Sequence, residues 1–315
     1  MIRGPEIHWK GNMNIVEFTD VTRIYPGGVS ALKGVSFGLP EGSVCGLLGR
    51  NGAGKTTLLR MIPALLRPTS GSAMVFGLDP WVAQEKVKIQ MGYLAEDDEI
   101  PGSLRVRDAL DLCASLYPAW DTAMANDLIE RFNLVDPSRK MAAMSKGQRR
   151  QVGLLCAVCH RPKLLVLDEP AGGLAPAARR EFLDVVISLL NKSGSTVLFS
   201  SHILSDIERV ADSLAILHEG KLLLHSQLDD LKENICRVEI EFGKSPKLKA
   251  ALSAHKKCLK INENNGRFLA TLRCPPDNAA RLLAEILPGE TSAVPTSAVP
   301  LSIEDIFIEL TGGIS

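Results

Sequence analysis

Long apolar runs are missing from this 315-residue sequence. No stretch of about eighteen consecutive apolar residues occurs, so no segment reads as a membrane-spanning helix. The opening Met1 to Lys10 has no apolar core of the kind a secretory signal carries, and the chain is expected in the cytoplasm. A surplus of either charge is missing too, since 36 Lys and Arg balance 36 Asp and Glu. That balance argues against an overall basic nucleic-acid binder and against a polybasic tail holding a membrane by charge alone. The seven cysteines are an odd number, scattered through apparent helices and strands, which reads as reduced thiols and not as a disulfide framework. The length suits one large domain with a smaller one, and residues 1–13 read as a tail or as sequence upstream of a start.

What is present is concentrated in Leu47 to Leu59, LLGRNGAGKTTLL. Gly49, Gly54, Lys55 and Thr56 stand at the G-x-x-x-x-G-K-[ST] spacing, after strand-like Ser43 to Leu48 and before helix-forming Leu58 to Ile62. Strand, glycine turn and helix are the setting of a phosphate loop, whose backbone N–H groups turn inward on the phosphates beside a positive helix end. Gly49, Asn51, Gly52, Ala53, Gly54, Lys55, Thr56 and Thr57 are the expected cradle. Lys55 supplies a point charge to the outer phosphates, and the Thr56 hydroxyl is placed for Mg²⁺.

Upstream, Asn14 to Tyr25 alternates as a strand, Pro26-Gly27-Gly28 turns it, and Ala31 to Leu39 is its hairpin partner. Downstream come short strands at Ser72 to Phe76 and Ile89 to Leu94, then an acidic Glu96 to Glu99. Residues from about Ser103 to Leu134 read as a helical insertion broken at Tyr117-Pro118-Ala119-Trp120, and Ser145 opens another helix. Lys163 to Pro170 is an apolar run ending in acids, as a buried parallel strand would. A helix from Arg179 to Leu190, a strand Ser195 to Ser200, a helix Ile203 to Val210 and strands at Ser213 and Lys221 complete an alternation that implies a parallel sheet between helices. After about Asn234 the composition shifts to a strand at Arg237, a lysine-studded helix Lys247 to Lys260, a strand at Arg267, a helix Ala279 to Leu287 and a final helix Ser302 to Leu310.

A phosphate loop alone says that a nucleotide is bound. Asp168, closing the Leu164 to Leu167 strand, supplies a carboxylate for Mg²⁺, and Glu169 is suited to polarise an attacking water. His202, after the next strand, is in reach of the γ-phosphate or that water. Tyr25 either stacks on adenine or packs in the core. Cys156-Ala-Val-Cys159-His160 spells a haem-attachment pattern, but that chemistry needs export, and both cysteines fall in a helix where small side chains pack.

Residues 14 to 231 resemble the nucleotide-binding domain of ATP-binding-cassette proteins: phosphate loop GRNGAGKTT, signature MSKGQRRQ at Met144 to Gln151, acidic strand LLVLDEP, and the histidine in SSHILSDIERVAD. The resemblance implies an α/β fold: a phosphate-loop NTPase core with a mostly parallel sheet sandwiched by helices, an N-terminal antiparallel β subdomain and a helical insertion. Residues 14–234 are then the ATPase domain, with a helical and signature lobe at about 103–160, and residues 235–315 a small α+β appendage. It also implies ATP hydrolysis with Mg²⁺, held by Thr56, Asp168 and Glu96, and a head-to-tail pair of copies. In that pair Ser145, Gly147 and Gln148 of one copy meet the γ-phosphate held by the other, and a helix N-terminus suits that anion.

Three positions depart from the family pattern. Glu96 stands where most members carry glutamine, Ala175 where an aspartate usually crosses the dimer interface, and Lys146 where the signature usually has glycine. Hydrolysis is expected to survive, slow or loosely coupled; the alternative is a nucleotide-gated regulatory clamp. One cassette, an appendage and a closing SIEDIFIELTG look like the ATPases of two-component exporters, and Tyr117 to Asp121 resembles a bacterial subgroup of these. Such a subunit would dock a separate membrane permease from the cytoplasmic face, beside Glu96, with Asp97-Asp98-Glu99 a rim of the groove or a solvated loop. No nucleic acid is expected; the Lys247 to Lys260 helix is the one feature in favour of it.

Overall fold

The computed structural model describes residues 13–96, 100–134, 136–241, 246–264, 267–286 and 295–312. Its contacts divide the chain between His225 and Ser226, ahead of the composition shift at Asn234.

In the first unit, β1 (Asn14–Ile24) and β2 (Ser30–Pro40) pair antiparallel, as their alternation and the Gly27-Gly28 turn dictate. The buried strand β3 (Val44–Leu48) runs into the glycine loop and α1 (Lys55–Leu59). That helix is one short stretch, and residues 60–66 continue as turns, in which Met61 and Ile62 bond back three residues. Strand β4 (Ser70–Val75) completes the antiparallel sheet in the order β2-β1-β4. Helix α2 (Gln84–Lys88) occupies a stretch the sequence leaves unassigned, and its last turn runs through residues 89 and 90, so β5 (Met91–Leu94) starts two residues later than the expected Ile89. The helical insertion is α3 (Val106–Leu116) and α4 (Thr122–Arg131), followed by α5 (Lys146–Val158). Then come β6 (Leu164–Leu167), α6 (Pro176–Ser193), β7 (Thr196–Ser201), α7 (Leu204–Val210), β8 (Ser213–His218) and β9 (Lys221–Gln227).

The second sheet has the order β5-β6-β7-β3-β8-β9, with β5 through β8 paired in parallel. Strands β3, β6 and β7 are buried along their whole length, which is why β3 and β6 lack the polar alternation of a half-exposed strand. Phe18, Val35 and Leu39 of the antiparallel sheet join Leu47, Leu58, Met61, Leu198 and Ala215 in one core cluster. This core fixes the carboxyl ends of β3, β6 and β7 side by side, the place where open α/β sheets bind ligands.

The second unit holds α8 (Leu228–Asn234), β10 (Cys236–Glu241), α9 (Pro246–Ala254), β11 (Cys258–Asn264), β12 (Arg267–Leu272), α10 (Ala279–Ile286), β13 (Pro295–Pro300) and α11 (Ile303–Thr311). Its sheet order, β11-β12-β10-β13, with every neighbour antiparallel, is the split βαββαβ arrangement. Val238, Ile240, Phe268, Ala270 and Leu272 face Leu252, Leu282 and Leu283 in a separate core.

Here the structure corrects the expected helix from Lys247 to Lys260. It stops at Ala254, Cys258 N–H turns back to His255 O at 2.9 Å, and Lys260 lies in a strand. Lysines were spaced as a helical face, but the apolar Ile261 belongs to a period-two pattern that pairs with β12. Lys249 is paired with Glu263 at 3.2 Å, and the Lys260 ammonium donates to Glu309 O. The one basic feature that favoured nucleic acid is thus not a continuous helix, and Lys249 and Lys260 in it already have partners.

Candidate functional site

The glycine loop is held by steric necessity. A Cβ on Gly49 would come within 2.5 Å of Leu217 O, and one on Gly54 within 2.7 Å of Ala31 O, where φ is also +106°. Leu58 N–H bonds to Gly54 O at 2.9 Å, so the loop feeds straight into α1. Lys55 folds back over the loop, its ammonium 2.7 Å from Gly49 O, and is only 6% exposed.

The same ammonium lies 3.1 Å from Glu169 Oε1, an ion pair buried on both sides. His202 Nδ1 meets Glu169 Oε2 at 2.8 Å while the His202 side chain remains 46% exposed. Glu169 sits at φ 44°, the left-handed region that a non-glycine residue enters only when its surroundings hold it there. The surroundings are identifiable: Glu169 N–H donates to Ser200 Oγ at 2.8 Å, and Ser200 Oγ–H donates to Asp168 Oδ1 at 2.7 Å. One serine on β7 therefore sets both acids at the end of β6.

Asp168 is completely buried, and its Oδ2 has no hydrogen-bond partner. Desolvation pushes its carboxyl above the usual range, against the Ser200 and Thr56 hydroxyls and the Lys55 ammonium, while the Glu169 charge adds to the rise. A carboxyl held above its unfolded value binds more protons folded than unfolded. Its contribution to stability therefore falls as pH rises from the unfolded value through the folded one. Without nucleotide and divalent cation, Asp168→Asn should consequently raise Tm at neutral pH, and the gain should shrink as pH falls toward the ordinary carboxylate range. Thermal unfolding across that range, in chelator, checks the sign. A buried orphan oxygen beside a threonine hydroxyl and the phosphate loop is also a donor set that fits Mg²⁺.

The other expected residues fall into two groups. Tyr25 is half-buried, not core; its hydroxyl lies 3.3 Å from Thr57 Oγ1, and the Arg23 guanidinium stands 5.0 Å over its ring. Asn51 and Gly52 are exposed on the loop and Ala53 is buried. Ser145, Gly147 and Gln148 form the second group, at the N-terminus of α5. Ser145 Oγ accepts from Gln148 N–H at 3.2 Å and Gln148 Oε1 accepts from Ser145 N–H at 3.1 Å, a capping box on an exposed helix end. A Cβ on Gly147 would lie 3.2 Å from Leu174, so this end packs on the segment leading to exposed Ala175. Glu96 is exposed, and Asp97, Asp98 and Glu99 lie outside the described residues.

His160 is buried with Nε2 3.0 Å from Met91 O and its ring stacked on Tyr117 at 3.9 Å. It is thus a packing residue, and among the described residues no cluster of His, Cys, Asp and Glu fits a metal. Two contributors were not singled out from the sequence. Ser200 is one of many serines in it. Arg150 lies in the signature and is 7% exposed; the available signal was its i, i+4 spacing with Leu154 on the buried face of α5.

The comparisons agree with this geometry. A family model described as ABC transporter matches residues 32–172. The bacitracin transport ATP-binding protein of Bacillus licheniformis is 34% identical over 239 residues, covering 76% of this chain and 78% of that one. The daunorubicin/doxorubicin resistance ATP-binding protein of Streptomyces peucetius is 29% identical over 310 residues, covering 94% and 92%. A solved ATP-binding subunit of an ABC transporter superposes with a TM-score of 0.63 at 30% identity, covering 69% of this chain and 92% of the other. With the phosphate loop, the acids at the end of β6 and the capped helix in place, the chain belongs to the ABC transporter family, as an ATP-binding subunit and ATPase.

Proposed function

We propose that this protein drives a two-component exporter, binding ATP between two copies of itself and passing the closure and reopening of that pair to a separate membrane permease. The observation that carries the reading is the Lys55–Glu169–His202 cluster beside the glycine loop, buried at Lys55 and Glu169 and open at His202. In it the groups that would hold the γ-phosphate and take the proton from water are already in contact. No described helix is long and apolar enough to cross a membrane, so attachment at the cytoplasmic face falls to the permease. The names of the relatives, one for bacitracin transport and one for daunorubicin and doxorubicin resistance, support export.

Chemically, the γ-phosphate competes with Glu169 for Lys55. When Lys55 turns to phosphate, Glu169 is left with His202 and a free carboxylate oxygen, able to orient a water and accept its proton. His202 holds the carboxylate and presents its exposed edge to the phosphate. Gly49 to Thr57 offer backbone N–H groups, Thr57 shares the Tyr25 hydroxyl, and the half-buried Tyr25 ring would stack on adenine on the face away from Arg23. Thr56, Asp168 and Glu96 would hold Mg²⁺, which neutralises charge across the outer phosphates. Ser145, Gly147 and Gln148 reach the partner's γ-phosphate from the α5 N-terminus once their mutual capping bonds open.

The test is association: Glu169→Gln loaded with ATP should sediment as a dimer, and a monomer both alone and with its permease would end the reading. Ala175 is exposed just before α6 and cannot make a hydrogen bond across a dimer. Ala175→Asp should raise turnover several-fold, and Glu96→Gln, by removing a negative charge beside the phosphates, should lower the ATP KM. Steady-state ATPase assays of the two variants read these effects, and no change in either would show that the departures from the family pattern are silent.

A further inference from the structure

The end of β6 and the loop after β5 are different stretches of chain, yet a single side chain joins them. The Arg150 guanidinium donates to Asp168 O at 2.7 Å, Glu169 O at 2.6 Å and Pro170 O at 3.1 Å on one side. On the other it donates to Ala95 O at 2.5 Å and Glu96 O at 2.6 Å. All five acceptors are main-chain carbonyls at strand ends, where the ladder no longer supplies donors. A planar fork with five N–H groups can satisfy all five at once; an ammonium has only three donors on one nitrogen and leaves at least two unserved.

Arg150 rides on α5, five residues after the Ser145 cap, and the rise of a helix over that span is about 7.5 Å. Because α5 is continuous from Lys146 to Val158, a shift of its N-terminus is a shift of the guanidinium. The two loops it grips carry Glu169, the residue read above as proton acceptor, and Glu96, read as a Mg²⁺ ligand. Glu169 needs such a grip, since its backbone stands at φ 44°.

We propose that Arg150 is a positioning residue for ATP hydrolysis. Its fork holds the Glu169 turn and the Glu96 loop in register with α5, so that engagement of the α5 N-terminus is felt at the carboxylate that handles the water. Its donors go to main-chain carbonyls, so it acts through the loops it holds. The proposal rests on the reading of Glu169 as proton acceptor, and that reading is tested separately by Glu169→Gln alone.

In the full-length protein, Arg150→Lys keeps the charge and loses the fork. It should lower kcat per folded molecule about 10- to 100-fold and leave the ATP KM within about threefold, the folded fraction being measured by circular dichroism because loss of folded protein also lowers turnover without moving KM. Arg150→Gln, which keeps two donors, should show the same split, so a poorly folding lysine variant does not end the test. Combining Arg150→Lys with Glu169→Gln should cost no more than Glu169→Gln alone, because the two residues act as one unit. The proposal is overturned if turnover falls only in step with the folded fraction, if KM rises as much as kcat falls, if the two substitutions multiply, or if neither Arg150 variant folds. A Glu169→Gln protein that hydrolyses ATP normally would instead remove the proton-acceptor reading while leaving the kcat effect of Arg150→Lys to be explained.

Discussion

Glu169→Gln is expected to lower ATP turnover by about 10²–10⁴-fold while leaving nucleotide binding in place, the range over which a positioned general base contributes. The amide is the same size and keeps the contact with His202, whose Nδ1 lies 2.8 Å from Glu169 Oε2, but it cannot accept a proton from water. It also cannot form the ion pair that Lys55 makes with Oε1 at 3.1 Å, so Lys55 is released to the phosphate before ATP arrives. The variant should therefore bind ATP at least as tightly as the natural protein. Single-turnover hydrolysis and equilibrium binding, measured side by side, separate the two effects. A turnover loss below tenfold would transfer the proton-accepting role away from Glu169.

Lys55→Met is expected to act twice. Removing the ammonium leaves Glu169 buried with an uncompensated charge, and breaking such a pair costs about 3 kcal/mol, or about 6–12 °C in Tm for a domain of this size. The solvent-facing edge of His202 softens that loss. The second action is on the ligand: one charge-assisted phosphate contact disappears, weakening ATP by about 100-fold. The double variant Lys55→Met/Glu169→Gln distinguishes the two. It carries no orphan charge, so Tm should recover most of the deficit, whereas ATP affinity should not recover. If both stayed low, the destabilisation would come from the lost bond to Gly49 O, 2.7 Å from the ammonium, and not from Glu169.

Most of the cassette was legible in the sequence because its signals are local. A glycine spacing, an apolar run ending in two acids and a serine opening a helix each fix a piece of backbone whose neighbours in space are also neighbours in sequence. The helix starts at Ser145 and Ser302 were readable from the caps, and the structure places a side-chain oxygen on the expected N–H in both. The second unit was less legible for the same reason in reverse. Lys260 satisfies a helical face and a strand equally well, and β12 decides between them by pairing with Ile261 and Asn262, while Lys256 and Lys257 fall in the turn before β11. Pro295 to Pro300 is assigned no element from the sequence, yet it pairs with β10 at the edge of the sheet, the position in which prolines are tolerated.

The sequence by itself determined that a glycine loop joins a buried strand to a helix between Gly49 and Thr57, that Asp168 and Glu169 end a second buried strand, and that this is a cassette ATPase chain. Only the tertiary structure decided that Lys55 is already paired with Glu169, that Ser200 sets both acids, and that Arg150 ties them to the Glu96 loop. Motifs specify what a backbone segment can do, through spacing and steric allowance. Ion pairs and buried forks depend on which strand ends the parallel sheet brings together across some 20 to 114 residues of intervening chain, and that is settled by how the core packs.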